Sequence, residues 1–557
     1  MPAVEELTYG FDLMGVDPGS LGSALAAAGA GLARRPAQLA QATAGLAREQ
    51  GAVALDTARR LLDVEVESRV RPEPGDRRFA DRAWAENPLL RGLLESYLVS
   101  SRKALALLET ADVDAQTARK ARFALRIFLD AVAPTNVPWL NPAVLKEAID
   151  TGGLSVVRGA ANWLQDVVSG GGLPRQVDRS AFEVGRSLAA TPGRVVFRNE
   201  LMELIAYEPQ TETVFAQPLV YSPPWINKYY VMDLAPGRSF VEFAVQRGFT
   251  VFAISYRNPD APMGALTLDD YLRDGFLAAL ERASALTGSP RVNVEAVCIG
   301  GTLAMIGLAV LAARGEDGRV GWASLNNTLV DFAEPGEIAA FVDEQALERI
   351  ERRNRRRGFH SAEDMAGAFT WMRANDLVWS YVVSNWYMGR QPPAFDILAW
   401  NADSTRLPAT MHSQYLRACY LRNALVEPRA FTIDGTPVDM SKVETPLYVL
   451  TAERDHIAPW RSCYRTTQVV GSREVRHVLT SGGHIAGMVN PPGSAKATHR
   501  VNEQTPADPE EWLRGSELVQ GSWWEDWARW AAERSGDRVA PPELPWGEPA
   551  PGTYVRT

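Results

Sequence analysis

The sequence predicts an α/β fold with a mostly parallel sheet, preceded by an all-helical region. The chain has 557 residues, more than the roughly 250–300 at which a single core stops growing, so two domains are expected. From about residue 193, short runs rich in β-branched residues alternate with amphipathic helical segments, as in a parallel sheet. We therefore predict a helical N-terminal domain over residues 1–192 and an α/β domain over residues 193–557.

The N-terminal region has helical periodicity and no strand pattern. Residues 22–62 are rich in alanine and predict helix, interrupted at Pro36. Amphipathic spacing predicts further helix over residues 87–129 and from about 142 to 168. The glycine-rich stretch 169–174 then ends the helix.

Apolar segments of strand length mark the α/β region. Residues 249–254 are nearly all apolar, as expected of a strand that is buried on both faces. Residues 446–450 and 475–480 predict two later strands. Between about 325 and 430 the alternation stops, and the sequence becomes helical and rich in aromatic residues. Tryptophans at near-helical spacing between 523 and 530 predict the docking face of a terminal helix.

A strand, a sharp turn and a helix start meet at Cys298. The β-branched run that ends at Val297 predicts the strand, and Gly300 and Gly301 ease the turn into a helix. A nucleophile in this setting is the nucleophile elbow of the α/β-hydrolases, here with a thiol and with Ala296 in place of the first glycine of the pattern. The sequence therefore predicts an α/β-hydrolase fold, with residues from about 325 to 430 as a helical cap insertion.

The chemistry of this turn favours a reactive sulfur. Free N–H groups and the dipole at a helix N-terminus stabilise a thiolate, and the N–H of Ile299 is placed to bind an oxyanion. Taken alone, the turn is also compatible with a buried structural cysteine.

A base and an acid for Cys298 follow in the order typical of this fold. Of the six histidines, His484 lies in a glycine-flanked loop directly after a predicted strand. Asp455 follows the preceding predicted strand, and Asp434 and Asp439 are weaker rivals in what looks like a turn. The predicted triad is therefore Cys298, Asp455 and His484.

Composition argues against several classes of protein. A net charge of −9 disfavours nucleic-acid binding, and three widely spaced cysteines give neither a disulfide framework nor a metal motif. No apolar run reaches the roughly 18 residues of a membrane helix, and residues 1–15 lack the pattern of a signal peptide, so we expect a cytoplasmic protein. The basic run 348–358 has two interpretations: a solvated helix face, or a positively charged surface that attracts an anionic substrate.

Six motifs together resemble the polyhydroxyalkanoate synthases of the single-subunit class I type, and the resemblance covers about residue 80 to the end of the chain. The motifs are PPWINKYY (223–230), SYRNPD (255–260), CIGGT (298–302), WNADST (400–405), DHI (455–457) and GHIAG (483–487). The bulky Trp225 departs from the general hydrolase pattern, because its loop should help to form the oxyanion hole.

The resemblance implies an acyltransferase that polymerises (R)-3-hydroxyacyl-CoA into polyhydroxyalkanoate and releases CoA. Cys298 would carry the acyl group, His484 would deprotonate Cys298 and the next hydroxyl group, and Asp455 would orient His484. The N–H of Ile299 and one from the region of Ile226 would hold the oxyanion. No cofactor is implied, because the CoA thioester is the substrate.

The same resemblance suggests further contacts and partners. Arg373 and Asn423 would contact CoA, and Trp400 would lie near the active site or a subunit contact, although a packed core tryptophan is the simpler explanation. The helical domain would serve dimerisation and attachment to the polyester granule. A homodimer at the granule surface, beside phasin-type granule proteins, is the expected state.

Two alternatives remain open at this point. A thiol-dependent thioesterase would share the triad and would pass the acyl group to water. A non-catalytic, granule-associated paralogue would have no need for Cys298, Asp455 and His484 together.

Overall fold

The computed structural model describes residues 17–169, 172–545 and 547–557, so the segment on which the absence of a signal peptide was predicted lies outside the described residues. The chain divides into two compact units. A helical unit holds the residues up to Asp178 together with Ala366–Ala394, and an α/β unit holds Arg179–Met365 and Phe395–Thr557.

Long helices with clear start signals build the helical unit. They are α1 (Pro18–Ala33), α2 (Pro36–Leu61), α3 (Pro88–Leu108), α4 (Ala115–Ala131), α5 (Pro142–Asp150) and α6 (Leu154–Ser169). The predicted interruption at Pro36 is confirmed, because this proline opens α2. The single helix predicted over 87–129 is instead two helices, since Asp114 accepts hydrogen bonds from the N–H groups of Gln116 and Thr117 and so caps a new one.

Helix α6 buries polar side chains and exposes apolar ones. Asn162 donates a hydrogen bond to the carbonyl oxygen of Asn385 (3.0 Å), and Asp166 accepts one from the Trp386 indole (2.8 Å). These bonds connect α6 to Ala366–Ala394, a segment that the sequence assigned to the cap of the α/β domain. The other side of the helix is solvent-exposed and presents Leu154, Val156, Val157, Trp163, Leu164, Val167 and Val168.

A ten-stranded sheet forms the centre of the α/β unit. Its strands are β1 (Gly193–Arg198), β2 (Met202–Tyr207), β3 (Leu219–Ser222), β4 (Val251–Tyr256), β5 (Val292–Val297), β6 (Val320–Asn326), β7 (Leu447–Ala452), β8 (Val475–Thr480), β9 (Thr498–Asn502) and β10 (Glu517–Gln520). They lie in the order β1-β2-β4-β3-β5-β6-β7-β8-β9-β10. Strands β3 to β8 pair in parallel, whereas β1, β2, β9 and β10 extend the sheet in antiparallel fashion.

The predicted α/β-hydrolase fold is confirmed by this sheet and by the helices that alternate with it. The α-helices of five or more residues after β1 are α7 (Phe240–Gln246), α8 (Ala278–Thr287), α9 (Ile299–Ala313), α10 (Glu344–Arg357), α11 (Ala362–Met372), α12 (Asp396–Asn401), α13 (Ala409–Tyr415), α14 (Trp460–Tyr464), α15 (His484–Met488), α16 (Pro509–Gly515) and α17 (Trp523–Ala532). None of the described helices combines the length and the apolar character that a membrane span requires.

The terminal helix α17 docks through its tryptophans, as predicted. Trp523 and Trp527 are fully buried, and their rings lie 5.4 Å and 4.6 Å from that of Phe240. Trp527 also meets Trp322 of β6 edge-to-face, with the ring centroids 5.9 Å apart. Burial of such rings stabilises a fold by about 3–5 kcal/mol each, so α17 fixes the sheet face opposite α9.

Candidate active site

The nucleophile elbow is a strained turn between β5 and α9. Cys298 has φ 52° and ψ −123°, a conformation that costs a non-glycine residue roughly 1–3 kcal/mol. Two hydrogen bonds hold the turn: the Cys298 N–H donates to the carbonyl oxygen of Asn326 (2.8 Å), and the Thr328 hydroxyl donates to that of Cys298 (3.2 Å). The end of β6 therefore fixes the position of the sulfur.

Glycines after the nucleophile allow the turn to approach its neighbours. A Cβ atom at Gly300 would lie 2.4 Å from the carbonyl oxygen of Pro223, and one at Gly301 would lie 2.0 Å from Oγ1 of Thr328. Neither position has room for a side chain. This close approach brings the loop after β3 against the N-terminus of α9.

Asp455 and His484 come from the loops after β7 and β8. Nδ1 of His484 and Oδ2 of Asp455 are 2.6 Å apart, and both residues are buried. The other oxygen of Asp455 accepts hydrogen bonds from the backbone N–H groups of Ile457 (2.8 Å) and Ala458 (2.9 Å). The carboxylate is therefore held from one side by the backbone and directs its free oxygen at the imidazole ring.

The electrostatics of His484 favour its protonated form. Burial lowers the pKa of His484, but the negative charges of Asp455 and Cys298 outweigh this effect and raise the pKa well above its usual range. The Cys298 sulfur is therefore close enough to the imidazole to change its pKa. This arrangement can take the proton of the thiol and hold it on the ring.

The other two cysteines are buried thiols. Burial raises the pKa of Cys419, and burial together with the charges of Asp455 and Cys298 raises that of Cys463. Cys298 is partly exposed, whereas Cys419 and Cys463 are buried. Among the three, Cys298 alone combines access with a base.

The loop Pro223–Tyr230 lies beside the elbow and is anchored by the segment around Trp400. The indole N–H of Trp400 donates to the carbonyl oxygen of Lys228 (2.8 Å), and the Thr405 hydroxyl donates to that of Trp225 (2.7 Å). The side chain of Ile226 packs against the same apolar cluster as Cys298. Trp400 thus supports the loop that contains Ile226, in whose region the second oxyanion donor is predicted. The other predicted donor, the N–H of Ile299, belongs to the first residue of α9 and has no partner within that helix.

Aromatic side chains surround the nucleophile, and sequence reasoning did not find them. The rings of Tyr415 and Tyr420 lie 5.7 Å apart, and both side chains lie close enough to interact electrostatically with Cys298. The Phe332 ring lies 4.9 Å from that of Tyr420, and the Trp225 ring lies 6.1 Å from that of Tyr415. The site around the sulfur is therefore largely apolar.

The sequence analysis also did not single out Asn327, although its position directly after a parallel strand is typical of site residues. Its side-chain amide donates to the backbone carbonyl oxygen of His484 (2.6 Å) and so fixes the loop of the base. Polar residues at the carboxyl end of a parallel strand often serve a site, and Asn326, Asn327 and Thr328 stand at that end of β6.

Comparison with known proteins assigns the chain to a family. A profile described as the N-terminus of poly-beta-hydroxybutyrate polymerase matches residues 75–244, and one for the alpha/beta hydrolase fold matches residues 227–491. The chain is 41% identical to a poly(3-hydroxyalkanoate) polymerase of Methylorubrum extorquens over 514 residues, which are 91% of this chain and 84% of the relative. It is 40% identical to a poly(3-hydroxyalkanoate) polymerase subunit of Cupriavidus necator, over 86% of this chain and 83% of the relative.

The chain belongs to the poly(3-hydroxyalkanoate) polymerase family. A polymerase of Ectopseudomonas oleovorans, 41% identical over 88% of both chains, agrees with this assignment. The chain is accordingly an acyltransferase of polyester synthesis. The predicted resemblance and enzyme class are confirmed.

Two residues predicted to contact CoA in this polymerase occupy separate units. Arg373 belongs to the helical unit, where it pairs with Asp376 and lines a cavity of 750 Å³. Asn423 belongs to the α/β unit, where its side chain accepts from the N–H of Phe332 (2.7 Å) and donates to Asp331 (2.8 Å). Their contact with CoA stays a prediction.

The described residues do not form a recognisable metal site. No group of three or more His, Cys, Asp or Glu side chains there is arranged to hold a metal ion. Asp434 and Asp439, the rivals of Asp455, lie away from His484: Asp434 pairs with Arg314 (2.8 Å), and Asp439 caps a short helical turn.

Proposed function

We propose that the chain polymerises (R)-3-hydroxyacyl-CoA thioesters through an acyl group bound to Cys298. The observation that carries this proposal is the hydrogen-bonded pair of His484 and Asp455, which lies close enough to Cys298 at the strained elbow for the two side chains to interact electrostatically. Exchange between thioesters is nearly isoenergetic, so a thiol nucleophile suits this substrate.

The first half-reaction transfers the acyl group from CoA. His484 takes the proton of Cys298, the sulfur attacks the thioester carbonyl carbon, and the N–H groups of Ile299 and the Ile226 region stabilise the oxyanion. A new S–C bond forms as the bond to the CoA sulfur breaks. The CoA thiolate leaves with the proton from His484, while Asp455 keeps the imidazole in the required orientation.

The second half-reaction forms the ester bond. The 3-hydroxyl group of another hydroxyacyl unit gives its proton to His484, and its oxygen attacks the acyl group on Cys298. The C–O bond forms, the S–C bond breaks, and Cys298 recovers a proton. The aromatic surroundings formed by Phe332 and Tyr420 support this step, because they keep water from competing with the hydroxyl group.

The experiment that tests this function compares wild type with Cys298→Ala. CoA release from (R)-3-hydroxybutyryl-CoA is measured, and the product is extracted and sized. We expect wild type to release CoA and to form an insoluble polyester, and Cys298→Ala to do neither. Release of CoA with only free hydroxy acid would identify a thioesterase, and no release from this or longer hydroxyacyl-CoA would favour a non-catalytic partner.

We also propose that the enzyme works as a cytoplasmic homodimer at the granule surface, without a cofactor and beside phasin-type proteins. The exposed side of α6 supports the attachment: Val157 and Val168 are 66% and 79% exposed, and Arg158 is the one charged residue on that side. A nearly uncharged apolar face suits a neutral polyester better than an anionic membrane.

Charged substitutions on α6 test the attachment. Val157→Glu with Val168→Glu should abolish sedimentation of the enzyme with polyester particles, whereas the control Arg158→Glu should not. Equal sedimentation of all three proteins would contradict this role. Sedimentation velocity of the soluble enzyme tests the dimer.

A further inference from the structure

A buried lysine lies in the loop where the second oxyanion donor is predicted. Lys228 belongs to the loop Pro223–Tyr230, here called the oxyanion loop, and is only 4% exposed. Lysine is almost never buried this deeply unless its ammonium group has fixed partners. The reaction proposed above assigns no role to this side chain.

The ammonium group of Lys228 binds a backbone carbonyl oxygen that is distant in the sequence. Its Nζ donates a hydrogen bond to the carbonyl oxygen of Thr557 (2.6 Å). The same oxygen accepts a hydrogen bond from the side-chain amide of Asn258 (3.3 Å), which lies two residues after β4. The side-chain oxygen of Asn258 accepts from the N–H of Arg406 (2.9 Å). Side chains from two of the motifs found in the sequence therefore share one acceptor.

A second buried side chain holds the segment 553–557 on the sheet. Glu203 of β2 is fully buried, and its carboxylate accepts hydrogen bonds from the backbone N–H groups of Thr553 (3.1 Å) and Tyr554 (3.1 Å). It also accepts from the hydroxyl group of Thr553 (2.8 Å) and from Nε of Arg198 (2.9 Å). The segment is thus fixed to β2 at one end and to the oxyanion loop at the other.

This contact supports the oxyanion loop from a different side than the bonds described above. The hydrogen bonds from Trp400 and Thr405 fix the loop backbone to the segment around α12. The side chain of Lys228 instead connects the loop, through segment 553–557, to the sheet whose strand β5 leads into Cys298. An oxyanion donor acts only at hydrogen-bonding distance from the oxygen that becomes charged, so its position relative to the nucleophile must be fixed.

We propose that Lys228 is a positioning residue for the oxyanion loop, with segment 553–557 as its support. The hydrogen bond to Thr557 keeps the N–H groups of the Ile226 region in place relative to the sulfur of Cys298. Lys228 acts through the loop backbone rather than on the reacting atoms. This inference rests on the proposed function, because it concerns the oxyanion of that reaction.

Lys228→Met tests the proposal, because methionine keeps an unbranched apolar chain of similar length and removes the donor. Loss of one oxyanion donor lowers kcat about 10²–10³-fold, so displacement of the loop should lower kcat for CoA release by about tenfold or more. Lys442→Met, at an exposed lysine of the same unit, is the matched control and should keep the wild-type kcat.

Alkylation of Cys298 by iodoacetamide separates this role from a general loss of structure. The thiolate displaces iodide from a saturated carbon, so an S–C bond forms without an oxyanion and without the loop. The rate is followed by mass spectrometry on the peptide that contains Cys298. Lys228→Met should therefore be alkylated at the wild-type rate, although it releases CoA more slowly.

Glu203→Gln tests whether the supporting segment acts through Lys228. The NH₂ group of glutamine cannot accept hydrogen bonds from Thr553 and Tyr554, so the segment loosens and kcat should fall. Substitutions that act through one shared contact are not additive. The double variant should therefore be no slower than Lys228→Met alone.

Three results would overturn the proposal. The first is an unchanged kcat in Lys228→Met or, if that variant does not fold, in Glu203→Gln. The second is an alkylation rate that falls as far as kcat, since the defect would then lie in the nucleophile. The third is a double variant in which the two losses multiply, since Lys228 and the segment would then act separately.

Failure of the proposed function gives a different result, because wild type then releases no CoA. Acetylation of Cys298 by p-nitrophenyl acetate replaces CoA release in that case, since the thiolate attacks a carbonyl carbon, an oxyanion forms and p-nitrophenolate leaves. Slower acetylation of Lys228→Met than of wild type would support the positioning role. Equal acetylation of the two proteins, or none in wild type, would overturn it.

Discussion

Replacing Asp455 by asparagine tests how the base is oriented. In wild type, Oδ1 of Asp455 accepts from the N–H groups of Ile457 and Ala458, and Oδ2 accepts the Nδ1 proton of His484 at 2.6 Å. In Asp455→Asn the amide oxygen keeps the two backbone donors, so the NH₂ group faces Nδ1. The imidazole must then place its proton on Nε2, which is the atom that should accept the proton of Cys298.

The expected loss is large because the substitution reverses the tautomer of the base without disturbing the packing. The same exchange in a Ser-His-Asp triad lowers kcat about 10⁴-fold, which corresponds to about 5.4 kcal/mol of transition-state stabilisation. We expect a loss of similar size in kcat for Asp455→Asn and a much smaller change in KM. Initial rates of CoA release from (R)-3-hydroxybutyryl-CoA measure both parameters.

Asp439→Asn is the matched control for this experiment. Asp439 caps a short helical turn by accepting a hydrogen bond from the N–H of Ser441 (3.1 Å), and it is one of the two aspartates that rivalled Asp455 in the sequence. Its substitution should change kcat by less than about twofold, as for most surface positions. A kcat within tenfold of wild type for correctly folded Asp455→Asn would refute the assigned orientation of His484.

Three further perturbations follow from the geometry. Gly300→Ala places a Cβ atom 2.4 Å from a backbone carbonyl oxygen, so we expect a loss of about 1–3 kcal/mol or more in stability, measured as a lower melting temperature; an unchanged value would contradict the close approach. Asn327→Gly removes the hydrogen bond to the carbonyl oxygen of His484 without straining φ, which is 46°, and should lower kcat about tenfold; a change below twofold would contradict its role. Burial lowers the pKa of His412 and lowers that of His360 to about 3, so the unfolded chain alone binds these protons below pH 6.5. The melting temperature should therefore fall between pH 7 and pH 5, and less so in His360→Gln.

The order of elements in the α/β unit could be predicted because it depends on local patterns. β-branched apolar runs such as Val251–Tyr256 are buried on both faces and are recognisable without tertiary contacts. Strands β9 and β10 were missed, because Thr498–Asn502 and Glu517–Gln520 are short and lack a continuous apolar run. β9 pairs with β8 and β10 pairs with β9, so both strands depend on a neighbour rather than on their own composition.

The proximity of the three candidate triad residues could be predicted for a different reason. Cys298, Asp455 and His484 each follow a strand, and parallel strands bring their carboxyl ends to one edge of the sheet. The aromatic surroundings were not predictable, because Tyr415 and Tyr420 lie on a helical segment whose apolar spacing looks the same whether it packs on a core or on a nucleophile. For a similar reason, the sequence did not predict that α6 buries its polar side chains and exposes its apolar ones. Periodicity shows which residues share a face of a helix, but not which face is buried.

The acyl group on the enzyme provides the most direct test of the central claim. Wild type is mixed with (R)-3-hydroxybutyryl-CoA, quenched in acid within the first turnovers, digested and analysed by mass spectrometry. The account predicts a hydroxybutyryl group or a short oligomer on the peptide that contains Cys298, and its absence from Cys298→Ala. Release of CoA with the acyl group on another residue, or on none, would contradict the account.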